Sequence, residues 1–296
     1  MRCSYCLRPA IYLRKIAYCA DHFESYFVGK VKRTIKRYAL LCKTDKIVVA
    51  CSGGKDSTVA LELVSRIYRD VEAVAIDEGI CGYREHTLDW LKKYCYSNQI
   101  PLRVYSFEKE FGFRLDNVKD KKRLCTCCGV LRRYLLNSKS KGFDKVVTGH
   151  NLDDEAQSIF MNLSKANVEA LVRLGPMAGV VRDNKFVPRV KPLYMCLEKE
   201  DVVFAYLKGF EMPRPECPYA SSSYRADVKA GLNELEASRP GTKENLVKSF
   251  LRVLPRLRAD YRCSEEVKSC AVCGEPCRAD VCASCNIVKF KNNRFL

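Results

Sequence analysis

Residues 48–64 read VVACSGGKDSTVALELV. An apolar run, a glycine pair, a lysine and hydroxyls are the residue types that hold phosphate. The spacing differs from the common ATPase loop, where four residues separate the first glycine from Gly-Lys-Ser/Thr. Here Gly53, Gly54, Lys55, Asp56 and Ser57 are contiguous, with an acid inside the loop. The chemistry on offer is phosphate binding of another kind.

The second chemical resource is sulfur, with 18 cysteines in 296 residues. Near the C-terminus, Cys270-x2-Cys273 and Cys282-x2-Cys285 form two close pairs, and four thiolates complete a tetrahedral zinc site. Cys277 lies between the pairs as an unused fifth sulfur. Near the N-terminus, Cys3-x2-Cys6 and Cys19-x2-His22 predict a second zinc site with three sulfurs and one imidazole. A segment of about 20 residues cannot bury enough apolar surface to fold alone, so a metal would stabilise each ribbon directly. A third set is different: KKRLCTCCGVLRRYLL (121–136) holds Cys125, Cys127 and Cys128 with no nearby second pair, and a distant candidate partner is Cys217 in PRPECPYASSS. Three thiolates without a fourth ligand suit an iron–sulfur cluster with one open iron, or a redox pair plus a third thiol. Cys42, Cys51, Cys81, Cys95, Cys196 and Cys263 have no such pairing and read as small buried hydrophobes.

Something must position these groups. KIVVAC (46–51), VEAVAID (71–77), PLRVYSF (101–107) and DKVVTGH (144–150) have the length and β-branching of buried strands. Helical patterns lie between them at 57–69, 83–98 and 127–141. Strand alternating with helix predicts an α/β fold with a doubly wound parallel sheet, whose ligands sit at the carboxyl ends of the strands. FVPRVKPLY (186–194) reads as a further strand, kept from a central place by its prolines. Helices are predicted at 26–41, 197–208, 223–237 and 243–259. The organisation is then an N-terminal zinc ribbon (1–25), a basic helical linker (26–44), a catalytic domain (45–240), a basic helix (241–262) and a C-terminal zinc ribbon (263–296).

Charge narrows the partner. Lys and Arg total 52 against 35 Asp and Glu, a formal +17. Residues 1–44 hold ten Lys/Arg and two acids, a net of +8, and residues 243–296 hold eleven and six, a net of +5. A field polarised towards both ends fits a polyanion, because neutralised phosphates drive nucleic-acid affinity. No apolar run approaches the ~20 residues of a membrane span, and MRCSYCLRPA is not a signal peptide. A soluble cytoplasmic protein without membrane contact is expected.

CSGGKDS between a strand and a helix resembles the SGGxDS loop of the PP-loop ATP pyrophosphatases, the adenine-nucleotide alpha-hydrolase superfamily. In that superfamily the loop holds the pyrophosphate of ATP while the alpha-phosphate is transferred to a carbonyl oxygen. The residues suit the task. Gly53 and Gly54 let backbone approach an anion, and the helix N-terminus favours negative charge. Lys55 adds a point charge, Ser52 and Ser57 can bond phosphate oxygens, and Asp56 is expected to position Mg2+. Over nearly its whole length the chain is similar to the TtuA-type tRNA 2-thiouridine synthetases and their archaeal and eukaryotic wobble-uridine relatives. The similarity rests on the two ribbons, SGGKDS, AIDEGICGYR (75–84), CTCCGVLRRY (125–134), TGHNLDDEAQ (148–157) and ECPYA (216–220).

The resemblance implies that Cys125, Cys128 and Cys217 hold a [4Fe–4S] cluster with one open iron, although Cys127 leaves the choice among neighbouring sulfurs open. It implies an ATP pocket near Ala50, Ser52, Asp56, Ile76, Arg132 and Gly149, with Asp153 and Asp154 near the metal and the reacting carbonyl. The expected reaction adenylates the C2 oxygen of a tRNA uridine, with Lys55 and Arg132 stabilising phosphate charge, and then inserts sulfur. The sulfur would come from sulfide or a thiocarboxylated ubiquitin-like carrier, and similar proteins are homodimers. Other readings are a cluster-free thiolase using a persulfide, a non-catalytic zinc-ribbon tRNA-binding protein, and a different base modifier.

Overall fold

The structure, a computed structural model, describes residues 1–120, 123–179, 185–211, 217–219, 224–261 and 267–290. The chain opens with a small hairpin, β1 (Tyr12–Leu13) and β2 (Ala17–Tyr18), and runs directly into α1 (Ala20–Arg37). The helix begins six residues earlier than its basic stretch suggests. The reason is a buried stripe of Phe23, Phe27, Val31, Thr34 and Ile35, spaced at helical period from the first turn. Fully burying Phe23 and Phe27 contributes about 1.5–3 kcal/mol each, so tertiary packing extends the helix into the ribbon. His22 consequently sits on α1 itself.

The catalytic core alternates β3 (Ile47–Ala50), α2 (Lys55–Ile67), β4 (Val71–Asp77), α3 (Arg84–Ser97), β5 (Leu102–Ser106), the short α4 (Phe107–Phe111), α5 (Leu124–Ser138), β6 (Lys145–Thr148), α6 (Leu152–Ser164) and α7 (Val168–Val172). It continues through β7 (Met177–Ala178), β8 (Arg189–Val190), α8 (Glu198–Leu207), α9 (Tyr224–Ser238) and α10 (Thr242–Asp260), and ends in the ribbon strands β9 (Lys268–Ser269) and β10 (Pro276–Cys277) and in α11 (Ala283–Phe290). The sheet order is β5-β4-β3-β6-β8-β7. All neighbours are parallel except the edge pair β7–β8. Pro188 and Pro192 bracket β8, which is only two residues long and lies one place in from the edge, covered by β7.

The chain winds outward from β3 through β4 to β5, then returns to β6 on the other side of β3. The crevice between the carboxyl ends of β3 and β6 is therefore the topological switch point, where ligands bind in open α/β sheets. Residues 51–54 leave β3 there and residues 149–151 leave β6 there. Along β3, Ile47, Val48 and Val49 are at most 1% exposed, as a strand covered on both faces requires.

The C-terminal ribbon is docked on α5. Buried Glu275 accepts from Asn137 Nδ2 at 2.7 Å and pairs with Lys141, and Ile287 and Val288 pack into the cluster of Leu131 and Leu135. Of the unpaired cysteines, Cys51, Cys95 and Cys196 are buried as expected, but Cys42 and Cys81 are exposed. Both exposed sulfurs lie on loops, where no apolar pattern draws them inward. Cys263 lies outside the described residues, as do Glu216 and Ala220 of the ECPYA motif.

Candidate active site and metal centres

The turn after β3 is closed on its own hydroxyls. Ser52 N–H donates to Ser57 Oγ at 3.1 Å, Ser57 Oγ donates to Gly54 O at 3.0 Å, and Gly54 N–H donates to Ser52 Oγ at 3.3 Å. Gly53 has φ +76°, and a Cβ there would stand 2.3 Å from Thr87 O. Gly149, at the end of β6, would place a Cβ 2.6 Å from the backbone of Asp56 and Ser57. The loop and the β6 crossover thus touch backbone to backbone, which only glycine permits.

Polar groups crowd the start of α2. Lys55 Nζ lies 3.1 Å from Asp56 and 3.0 Å from Glu198 Oε1, and Lys229 reaches the same Glu198 oxygen at 3.0 Å. Asn151 Nδ2 donates to Asp56 Oδ1 at 3.3 Å and to Asp201 Oδ2 at 3.0 Å. Asp201 is fully buried, and its Oδ1 accepts no hydrogen bond. Burial raises the Asp56 carboxyl, and so does the charge of Asp154, against the pull of Lys55. Burial and the Asp56 charge push Asp201 well above the usual carboxylate range. Carboxylates that raise one another, with one orphaned oxygen among them, suit a hard divalent cation.

The two acids that open α6 part company. Asp154 forms a capping box with Asn151 and keeps its side chain 30% exposed, 3.5 Å from Arg225. Asp153 is buried, with one oxygen on Lys243 and the other accepting Glu198 N–H at 2.7 Å. Both Asp153 oxygens are committed within the protein, whereas the Asp154 carboxylate stays partly open to solvent. His150 keeps part of its surface open to solvent while its ring is packed among charged groups, with Nδ1 2.9 Å from Thr148 Oγ1. Desolvation in the crowded cleft and the charges of Lys191, Arg225 and Arg132 lower it to about 4, so the ring is neutral near pH 7.

A buried carboxylate connects this loop to the cysteine helix. Glu78, just past β4, stands 2.8 Å from Arg84 Nε and 3.5 Å from Arg132 Nη1. Arg84 Nη1 in turn donates to Ser52 O at 2.5 Å. Ile76, on β4, is buried and its carbonyl accepts from Arg84 Nε at 2.8 Å. Ala50, at the end of β3, registers opposite Thr148 of β6.

Arg132 lies on α5, which begins three residues before the helical pattern and so carries all three cysteines within its first five residues. Positions i and i+3 share a helix face whereas i+2 does not. Cys128, Cys217 and Tyr219 all pack against the cluster of Leu124 and Leu131, Cys125 Sγ lies 3.5 Å from Tyr219 O, and Cys127 is buried at 5% exposure. Burial pushes the Cys128 thiol up to about 12, with Arg132 opposing and Glu78, Cys217 and Cys125 adding to the rise. Burial and the Cys125 charge also raise Cys217. Sulfurs that destabilise one another as thiolates are matched to a cationic partner.

The ribbon donors are gathered more tightly. In each of the sets Cys3, Cys6, Cys19, His22 and Cys270, Cys273, Cys282, Cys285, the ligand atoms lie within 4.8 Å of one another, and among the described residues no other such group occurs. Cys6–Cys19 and Cys273–Cys282 sulfurs are each 3.7 Å apart, and His22 Nδ1 lies 3.5, 3.6 and 3.3 Å from Cys3, Cys6 and Cys19. A Zn–S bond of about 2.3 Å puts tetrahedral sulfurs about 3.8 Å apart, so both sets fit one ion. Cys282 N–H donates to Cys270 Sγ at 3.2 Å and, ahead of its other neighbours, pulls that thiol down to about 6. Cys277 stays out and donates to Ala279 O at 2.8 Å. Among the described residues Cys125, Cys128 and Cys217 do not form such a group.

Glu78, Arg84, His150, Glu198, Asp201, Arg225 and Lys229 were not individually legible in the sequence. Glu78 directly follows β4 and His150 stands two residues past β6, and that position was the available signal. Glu198 and Asp201 read as ordinary first-turn acids of a helix.

A phosphate loop at the switch point of a parallel sheet, beside clustered carboxylates, defines a nucleotide-binding PP-loop protein. Residues 25–211 match the PP-loop domain family. The chain is 39% identical over 290 residues to the tRNA-5-methyluridine(54) 2-sulfurtransferase of Pyrococcus horikoshii, covering 96% of this chain and 93% of that one. It is 31% identical over 291 residues to the cytoplasmic tRNA 2-thiolation protein 1 of Dictyostelium discoideum, covering 93% and 78%. Among solved structures, the U34-tRNA thiolase NcsA from Methanococcus maripaludis with its [4Fe-4S] cluster matches with a TM-score of 0.83 at 31% identity, over 100% of this chain and 97% of that one. The chain belongs to the PP-loop domain family and, within it, to the tRNA 2-sulfurtransferases. No described helix is long and apolar enough to cross a membrane.

Proposed function

We propose that the protein thiolates C2 of a tRNA uridine after activating the C2 oxygen with ATP. The observation that carries this reading is the Glu78 bridge. One carboxylate contacts both Arg84, which holds Ser52 of the phosphate loop, and Arg132, on the helix bearing Cys125 and Cys128. In this reading Glu78 ties the loop that takes ATP to the helix that carries the sulfur chemistry.

In the first step the uridine C2 oxygen attacks the alpha-phosphate, forming the adenylate and releasing pyrophosphate. The amides of Gly53 and Gly54, Ser52, Ser57 and the N-terminus of α2 hold that leaving group. Lys55 and Arg132 stabilise the phosphate charge, and Asp56 and Asp154 would hold a Mg2+ that supplies further charge neutralisation. Ala50, Ile76 and Gly149 shape the nucleotide pocket. In the second step a sulfur nucleophile adds to C2, the C2–O bond breaks and AMP departs with the oxygen. Cys125, Cys128 and Cys217 would hold a [4Fe–4S] cluster, which when bound supplies an iron without a protein ligand, open to an incoming sulfur. Cys127 is set aside because i+2 leaves the shared face.

The ribbons hold one Zn2+ each. Sulfur arrives as sulfide or from a thiocarboxylated ubiquitin-like carrier, and the working form is a cytoplasmic homodimer. Anaerobic reaction of the protein with tRNA, ATP and sulfide, followed by nucleoside mass spectrometry, should give 2-thiouridine together with AMP and pyrophosphate. Cys217→Ala should lose thiolation and retain ATP binding. Full thiolation by that variant would remove the cluster from the reaction. Mapping the modified base assigns the target to position 34 or 54.

A further inference from the structure

The second half of α1 is cationic and largely unmatched. Arg33 and Arg37 stand one turn apart, about 6 Å along the axis, with Lys36 between them. Together with Arg14 and Lys30 they border a cleft of about 710 Å3, also lined by Tyr26, Thr34, Tyr38 and Met195. Two of the five cations are neutralised: Lys30 by Glu200 at 2.6 Å, and Arg14 by Glu244. Arg33, Lys36 and Arg37 are exposed and have no ion-pair partner among the described residues. Arg37 lies over the Tyr38 ring, 5.7 Å from its centroid.

The cleft adjoins the phosphate loop through one turn of α8. Glu200 accepts from Tyr26 Oη at 2.7 Å on the cleft side. Its neighbour Asp201 accepts from Asn151, which also holds Asp56, and Glu198 takes Lys55. Cleft and catalytic loop are therefore anchored to acids of one helical turn, the cleft to Glu200 and the loop to Glu198 and Asp201.

We infer that this cleft binds the RNA substrate, with its backbone phosphates on Arg33, Lys36 and Arg37 and an unpaired nucleotide against Tyr26 and Tyr38. The inference rests on the reading that the substrate is tRNA. Three uncompensated cations suit consecutive phosphates, and rings inside the recess suit a base, which stacks on an aromatic face whatever its sequence. A recess of this size is large enough to hold a nucleotide. An acidic protein surface would satisfy the cations but would leave the aromatic lining unused.

The test is filter binding of in vitro-transcribed tRNA to the full-length protein over a range of salt, beside ATP binding. Arg33→Ala/Arg37→Ala should weaken tRNA binding at least tenfold and lower the slope of log K against log salt by about two. Tyr38→Ala should weaken binding with the slope unchanged, and Arg33→Lys/Arg37→Lys should restore the slope. ATP binding should survive in all three. Wild-type affinity and slope in the double alanine variant would overturn the inference and leave the thiolation reading standing. Failure of the wild-type protein to bind tRNA would overturn both. Normal tRNA binding with loss of response to a sulfur-carrier protein would assign the cleft to that carrier and overturn the inference.

Discussion

Arg84 and Ser52 lie 32 positions apart, yet Arg84 Nη1 donates to Ser52 O at 2.5 Å. The same guanidinium, 3% exposed, holds Ile76 O and pairs with Glu78. A rigid planar cation thus fastens the phosphate loop to the end of β4. Arg84→Ala would leave Glu78 buried beside a lost partner, a change that costs about 3–5 kcal/mol. Denaturant unfolding should show that loss, and ATP affinity should fall with it. Arg84→Lys should not rescue, because one ammonium cannot replace a fork reaching three acceptors. Wild-type stability in Arg84→Ala would refute the clamp.

Gly149 offers a sharper test of loop geometry. An added methyl would meet the backbone of Asp56 and Ser57 at 2.6 Å, and backbone cannot swing aside as a side-chain tip can. Gly149→Ala should cost about 1–3 kcal/mol through overpacking and displace the start of α2. Isothermal titration should show at least a tenfold loss of ATP affinity. Unchanged binding would mean that the loop can yield there.

Metal content should separate the two ribbons. Elemental analysis of the wild-type protein should give two zinc ions per chain, with Cys19→Ser and Cys282→Ser each giving one. Two ions retained in either variant would overturn the assignment. Because Glu275 accepts from Asn137 on α5, Glu275→Ala should leave that buried amide unsatisfied and cost about 1–3 kcal/mol.

The depressed His150 has a consequence for acid stability. Its folded pKa of about 4 lies below the ordinary value of 6.5, so as pH falls the unfolded chain takes up this proton first. Above pH 6.5 the group contributes nothing to the pH dependence. Between 6.5 and 4 it lowers stability progressively. His150→Gln should therefore flatten the decline in unfolding midpoint across that window. An identical decline in the variant would show that other groups govern it.

Both ribbon ligand sets, the phosphate loop and the parallel sheet were determined by the sequence alone. Each is a short-range pattern, in which a knuckle, a tight turn or a helix face is specified by residues within a few positions of one another. Tertiary structure decided what joins them. Asp153 and Asp154 are adjacent in the chain, yet Lys243 and the Glu198 amide claim the first while the second borders the cleft. Cys125, Cys127 and Cys128 are likewise near neighbours in the chain, and the fold distinguishes them, with Cys127 buried, Cys128 half-buried and Cys125 exposed. The Glu78 bridge, the Asn151–Asp201 pair and the cleft beside α1 bring together residues tens to well over a hundred positions apart. No local spacing encodes such contacts, because they exist only once the sheet has set the ends of its strands side by side.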